Sequence, residues 1–225
     1  MGGAEALRAV IFDLWDTLAL WPAADFERVK AELGVHIDDF EQVWATTYAA
    51  RQTGPAGDYF RSLGLDEADV AECLRIRAGF TRRALVPRDG AIETLEELRR
   101  RGFKRGLISV CSSDVEELWD ETDLAGHLDD VVLSCAVGLS KPDPRIYRLA
   151  CENLDVEPGD CVFVGDGAND ELAGAERVGI RAVCVLPPGR SEPLWPEARG
   201  WEPTITSLRD VLALVGPDEL ERASA

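Results

Sequence analysis

Apolar residues gather into five short runs along the chain, at positions 9–14, 105–110, 130–135, 161–164 and 181–186. Each is rich in Val, Ile, Leu or Phe and has the length of a strand buried on both faces. Between the runs, apolar positions recur at helical spacing. Ile92, Leu95 and Leu98 mark one helix, which closes with the basic turn Arg99, Arg100 and Arg101 before Gly102. Ile146, Leu149, Ala150 and Leu154 mark a second that opens at Pro144. Leu172, Ala173, Ala175 and Val178 mark a third, ending at Gly179, and Leu208, Val211, Leu212 and Val215 a fourth, ending at Gly216. Strand alternating with helix predicts βαβ units: an α/β, Rossmann-like three-layer core with a parallel sheet between helices.

The alternation lapses between residues 20 and 87, where helical spacing dominates: Phe26, Val29 and Leu33, then Phe40, Val43, Trp44 and Thr47, then 59–63 and 70–85. That is too long for a single crossover, so it reads as a helical subdomain inserted after the first strand. Pro22 and Pro87 sit near its ends as hinge borders. The expected organisation is a core of residues 1–19 and 88–225 with a helical insert at 20–87. The polar tail at 217–225 is expected to fray.

Composition narrows the function. With 24 Lys and Arg against 42 Asp and Glu, the chain carries a net charge of −18. A field of that sign repels a phosphate backbone, so no nucleic-acid partner is expected. A small anionic substrate would need a local cluster of cations or a metal. No apolar run reaches the length of a membrane span, and residues 1–7 lack a signal-peptide layout, so no membrane partner and a cytoplasmic location are expected. The six cysteines (Cys73, Cys111, Cys135, Cys151, Cys161, Cys184) form no CxxC pair and read as reduced thiols.

In an open parallel sheet, ligands bind beyond the carboxyl ends of the strands. Those ends carry Asp13, Trp15, Asp16 and Thr17 after the first run, Ser109, Val110, Cys111, Ser112 and Ser113 after the second, Ser140, Lys141 and Pro142 after the third, and the stretch from Gly165 to Asp170 after the fourth. Lys141 is one of three lysines, the others being Lys30 and Lys104. Asp13, Asp166 and Asp170 meeting at one edge cannot all stay ionised without a cation between them. Hard oxygen ligands of this kind suit Mg²⁺, which commonly bridges to a substrate phosphate. Lys141 adds a point charge and Ser109 a hydroxyl donor, which together make a pocket for a phosphorylated ligand.

These four stretches, in this order, resemble the haloacid dehalogenase-like (HAD) hydrolases, over residues 9 to about 215. The specific signals are Ser140-Lys141-Pro142-Asp143-Pro144 and Gly165-Asp166-Gly167 followed by Asp170. The resemblance implies that Asp13 is the nucleophile, that Ser109 holds the transferring group and that Lys141 balances charge. It also implies Mg²⁺ held by Asp13, Asp166, Asp170 and the backbone carbonyl of Trp15. The insert is similar to the family's helical cap, which closes over the site and selects substrates.

One position departs from the pattern. Phosphatases of the family carry a second Asp where this chain has Trp15, and that Asp protonates the leaving oxygen and then activates water; indole does neither. Asp16 follows, but a one-residue shift near a strand end points a side chain the other way. Val110 stands where the family often has Asn, and with Trp15 it is expected to line the substrate pocket. The first reading is a Mg²⁺-dependent phosphatase of a small phosphorylated metabolite, a monomer or homodimer. The dehalogenase branch, which carries an aromatic at the Trp15 position but hydroxyl or amide groups near that of Asp166, is the alternative. A non-catalytic binder of a phosphorylated ligand or a partner protein is a further one. His36 and His127 fall outside the motifs. Trp21, Trp44 and Trp119 read as packing, Trp195 and Trp201 as loop residues, and Arg75, Arg77, Arg82 and Arg83 as a solvated helix face.

Overall fold

The computed structural model describes residues 7–216; the tail expected to fray and most of the N-terminal stretch read for a leader lie outside them. The first strand, β1 (Ala9–Phe12), is buried at all four positions. The chain then runs through α1 (Ala23–Leu33), α2 (Phe40–Thr46), α3 (Tyr48–Arg51), α4 (Ala56–Ser62) and α5 (Glu67–Ala84) before α6 (Ala91–Arg100) leads into β2 (Lys104–Ser109). It continues through α7 (Ser113–Glu117), β3 (Asp130–Leu133), α8 (Ser134–Val137), α9 (Pro144–Leu154), β4 (Cys161–Gly165), α10 (Glu171–Arg177), β5 (Arg181–Val185), β6 (Thr204–Ile205) and α11 (Val211–Leu214). The sheet is parallel throughout, in the order β3-β2-β1-β4-β5-β6.

Five of these strands fall on the five apolar runs. The sixth, β6, has two residues, of which Ile205 is buried. A strand that short leaves no period to read, and it lies in a stretch punctuated by Pro and Gly. Side chains alternate across the sheet as the pleat requires. Val10, Phe12, Val162 and Val164 enter one core with Leu95 and Leu98 of α6 and Val211 of α11. Ala9, Ile11, Cys161 and Phe163 enter the other with Ile146, Tyr147 and Ala150 of α9 and Leu172 and Ala175 of α10. The sheet is therefore covered on both faces, which is why its strands read as apolar runs rather than alternating patterns.

The helices α1 to α5 build an apolar cluster of their own, including Phe26, Val29, Leu33, Phe60, Val70, Ile76 and Phe80. Trp21, Phe26 and Phe80 pack edge-on or tilted with centroids 4.8–5.1 Å apart. Asp66 starts α5 by accepting hydrogen bonds from the backbone of Ala68 and Asp69, both at 2.9 Å. Polar contacts tie this segment to the core that carries the sheet, among them the following three. Arg77 of α5 pairs with Asp114 of α7 at 3.1 Å, the Ala56 N–H donates to Ser113 Oγ at 2.9 Å, and Ser134 Oγ donates to the Gln52 carbonyl at 2.7 Å. Arg77, read from sequence as part of a solvated face, is thus buried, while Arg75, Arg82 and Arg83 lie exposed in surface ion pairs.

Candidate active site

The carboxyl ends of β1, β2 and β4 lie side by side where the strand order reverses, the place at which open α/β sheets bind ligands. Asp13 continues β1, and its N–H donates to the Val164 carbonyl of β4 at 2.8 Å. Asp166 follows β4. Lys141 reaches the same point from the loop before α9, and its ammonium donates to both Asp13 Oδ1 and Glu171 Oε2. Asp13, Asp166 and Glu171 are all buried, and each offers an oxygen within 4.8 Å of the others.

The acidic group that completes this cluster is Glu171, not Asp170. Asp170 is exposed and lies outside the carboxylates that meet. The backbone explains the exchange. Asn169 and Asp170 both adopt left-handed conformations, with φ of 55°, a region that Asn and Asp tolerate better than other side chains do. Two such residues before α10 send Asp170 to solvent and bring the Glu171 side chain back beneath the strand ends. The glycines of the motif serve that return. A Cβ at Gly165 would overlap the Glu171 carboxylate, and Gly167, at φ +95°, lies against Ala198. The Gly167 N–H donates to Glu171 Oε1 at 2.9 Å, and Tyr147 Oη donates to the Glu171 carbonyl at 2.8 Å.

Three carboxylates around one ammonium leave an excess of buried negative charge. Burial, then the Asp13 charge, pushes the Asp166 carboxyl up to about 6. Burial also holds Glu171 well above the usual carboxylate range, although Lys141 opposes it. For Lys141 burial pulls downward, but the carboxylates of Asp13 and Glu171 outweigh it and keep the ammonium charged. The donor set is hard oxygen, buried and over-charged, so it fits a small divalent cation.

A cavity of about 440 Å³ opens over the cluster. Trp15, Val110 and Asp16 line it. The Asp16 result corrects the expectation that its side chain points away. Asp16 takes φ 55°, which breaks the strand alternation, and its Oδ1 accepts the Trp21 N–H at 3.1 Å. Burial raises its carboxyl above the usual range. Ser109 is fully buried at the end of β2, and its hydroxyl makes no hydrogen bond among the described residues. His36 is engaged by Asp69 at 2.7 Å, in the inserted helices.

Asp166 is held by one distant and one local donor, and the distant one carries no local signal in the sequence. Trp195, on the loop after β5, donates its indole N–H to Asp166 Oδ2 at 2.6 Å, and the Ala168 N–H donates to Asp166 Oδ1 at 3.1 Å. Trp21 and Trp44, read as packing, also border open space beside the site. The six cysteines are free and buried. Among the described residues no helix is long and apolar enough to cross a membrane.

Comparison with known proteins agrees with this fold. A family model described as haloacid dehalogenase-like hydrolase matches residues 7–179. The chain is 33% identical over 137 residues to haloacid dehalogenase-like hydrolase domain-containing protein 3 of Bos taurus, covering 61% of this chain and 54% of that protein. The match thus spans about half the length of that relative. Glyceraldehyde 3-phosphate phosphatase of Methanopyrus kandleri is 29% identical over 199 residues, covering 80% of this chain and 84% of that one. (S)-2-haloacid dehalogenase 4A of Burkholderia cepacia is 29% identical over 204 residues, with the same two coverages. Among solved structures, a HAD phosphatase from Thermococcus onnurineus shares the fold with a TM-score of 0.70 at 23% identity, covering 94% of this chain and 99% of that one. A parallel sheet with this strand order, a lysine-bridged carboxylate cluster at its switch point and a family match over most of the chain lead to one conclusion: the chain belongs to the haloacid dehalogenase-like hydrolases.

Proposed function

We propose that this protein is a Mg²⁺-dependent phosphatase of a small phosphorylated metabolite, acting through a phosphoryl group carried on Asp13. The observation that carries the reading is the buried set Asp13, Asp166 and Glu171 around Lys141. Mg²⁺ held by these three carboxylates, with the Trp15 carbonyl beside them, would supply positive charge to the phosphoryl oxygens. Residues 20–87 act as a cap over the site, and the free cysteines suit a reducing cytoplasm.

The side chains divide the work as follows. Lys141 binds Asp13 Oδ1, which leaves Oδ2 as the nucleophile. Oδ2 attacks phosphorus in line, the bond to the leaving oxygen breaks, and an aspartyl-phosphate forms. The Lys141 ammonium, released from part of its pairing as Asp13 becomes an acyl phosphate, offsets the charge on the phosphoryl oxygens. The buried Ser109 hydroxyl, otherwise unpartnered, donates to one of those oxygens. Water then cleaves the acyl phosphate. Trp15 offers no base for that step, so it is slow, and Asp16 is the carboxyl within the cavity that bears on its rate.

The test is rapid quenching during turnover, followed by mass spectrometry of the peptide containing Asp13. A phosphoryl adduct on Asp13 is expected to accumulate, and more of it in Asp16→Asn. Turnover without any adduct would remove the mechanism. Trp15 favours a second reading, a 2-haloacid dehalogenase, since halide displacement needs no proton donor. The carboxylate of Asp166 argues against it, because halide displacement uses Asp13 as its nucleophile and needs no metal. Halide release from a 2-haloacid would establish it instead. A non-catalytic binder would show neither adduct nor halide.

A further inference from the structure

Of the three carboxylates that meet at the strand ends, Asp13 and Glu171 both accept from the Lys141 ammonium. Asp166 is held differently. Its two oxygens each take one neutral donor, the Ala168 N–H on Oδ1 at 3.1 Å and the Trp195 indole N–H on Oδ2 at 2.6 Å. The first belongs to the same turn as Asp166, and the second arrives from the connection after β5.

That connection is built to deliver the indole. Residues 186–203 link β5 to β6 without an α-helix, and connections of such length commonly serve a function. The segment is fastened beside Trp195. Ala198 is buried against Gly167, where a side chain would overlap its methyl group, and its N–H donates to the Trp195 carbonyl at 3.1 Å. The loop thus touches the Gly165-Asp166-Gly167 turn twice, once through a methyl and once through an N–H. Two indoles of this loop differ in what they meet. Trp201 Nε1 donates to a backbone carbonyl, that of Ala182, at 3.3 Å, and its ring packs on the sheet core. Trp195 is 41% exposed, so core packing does not account for its ring, while its N–H reaches a carboxylate that is 3% exposed. The residue also lines the cavity over the cluster.

An indole is a donor only and carries no charge. It fixes the plane of an ionised carboxylate without neutralising it, whereas an arginine or lysine at the same place would compete with a bound cation. An ionised carboxylate offers about four lone-pair sites, so one donor on each oxygen leaves Asp166 able to hold a metal. Resting on the Mg²⁺-dependent reading of the site, we propose that Trp195 is a positioning residue for the metal. Its N–H holds the Asp166 carboxylate in the orientation that the cation uses, and the loop after β5 thereby sets the affinity of the site.

The probe is Mg²⁺ alone, titrated by calorimetry into the full chain and two variants. Trp195→Phe keeps a ring and loses the donor, and it is expected to bind Mg²⁺ about tenfold more weakly or worse, the effect typical of groups that orient a metal ligand. Trp195→Gln restores an N–H donor and is expected to recover part of that loss. In turnover of an aryl phosphate, Trp195→Phe is expected to need more Mg²⁺ for half-maximal rate, by about the same factor, and to regain the native kcat at saturation. Equal Mg²⁺ affinity in the native protein and Trp195→Phe overturns the proposal. So does a Gln variant that binds no better than the Phe variant, since the loss then belongs to the ring and not to its N–H. A native protein that binds no Mg²⁺ overturns the metal reading and this role with it. Mg²⁺ binding without phosphate release overturns the phosphatase reading alone, and the two variants still decide the role of Trp195.

Discussion

Trp15 stands two residues beyond Asp13, the proposed nucleophile, half-buried against the sheet core and the inserted helices, with its ring 5.0 Å from that of Trp21. On the proposed mechanism the site then has its attacking group and charge balance but lacks an acid at the position that would serve the leaving oxygen. Trp15→Asp is expected to raise turnover of alkyl phosphates by about 10²-fold, the lower end of what a placed general acid contributes. Steady-state kinetics with circular dichroism to confirm folding checks it, and no gain in a folded variant would show that Asp16 already serves. At this scale the sequence was legible where a residue sits directly on a strand end, as Asp13, Ser109 and Asp166 do. It was not legible where the backbone turns unexpectedly. Glu171 follows two left-handed residues, Asn169 and Asp170, and spacing alone assigned its place to Asp170. Trp195 reaches Asp166 from a loop 29 positions away, which no local pattern encodes.

At the scale of elements, the contact between α5 and α7 fixes the inserted helices over the strand ends. Asp114, 2% exposed, accepts from Arg77, Thr81 and Ser112. Burial opposes its ionisation, but Arg77 and the two hydroxyls prevail and hold its carboxyl below the usual range. Removing it strands the Arg77 charge, so Asp114→Ala is expected to lose about 3–5 kcal/mol, read as a lower urea midpoint with an unchanged slope. The folded value lies below the unfolded one. The contribution is therefore complete above about pH 4 and drains away as pH falls through the depressed value. Urea midpoints of the native protein and Asp114→Ala, far apart at pH 7, should converge in acid. A constant difference would assign the loss to packing instead. The long helices were visible in the sequence because α1, α5, α6 and α9 carry two or more turns of apolar spacing. The one-turn helices α3, α7 and α8 were not, since four or five residues contain too little of a 3.6-residue period.

For the whole molecule, the net charge of −18 sets the problem that the site solves. The protein gathers three buried carboxylates, Asp13, Asp166 and Glu171, around the single ammonium of Lys141. Mg²⁺ is accordingly expected to raise the thermal midpoint, by the equivalent of about 2.7 kcal/mol at a hundredfold excess over its Kd. Asp166→Asn should abolish that response in a melting experiment; an equal rise in the variant would place the ion elsewhere. The central claim is that Asp13 performs metal-assisted phosphoryl transfer. It is tested most directly by phosphate release from an aryl phosphate, whose leaving group needs little protonation, with and without Mg²⁺. The account predicts turnover that requires Mg²⁺ and disappears in Asp13→Asn. Turnover that persists in Asp13→Asn, or a folded native protein inert with Mg²⁺ present, would contradict it.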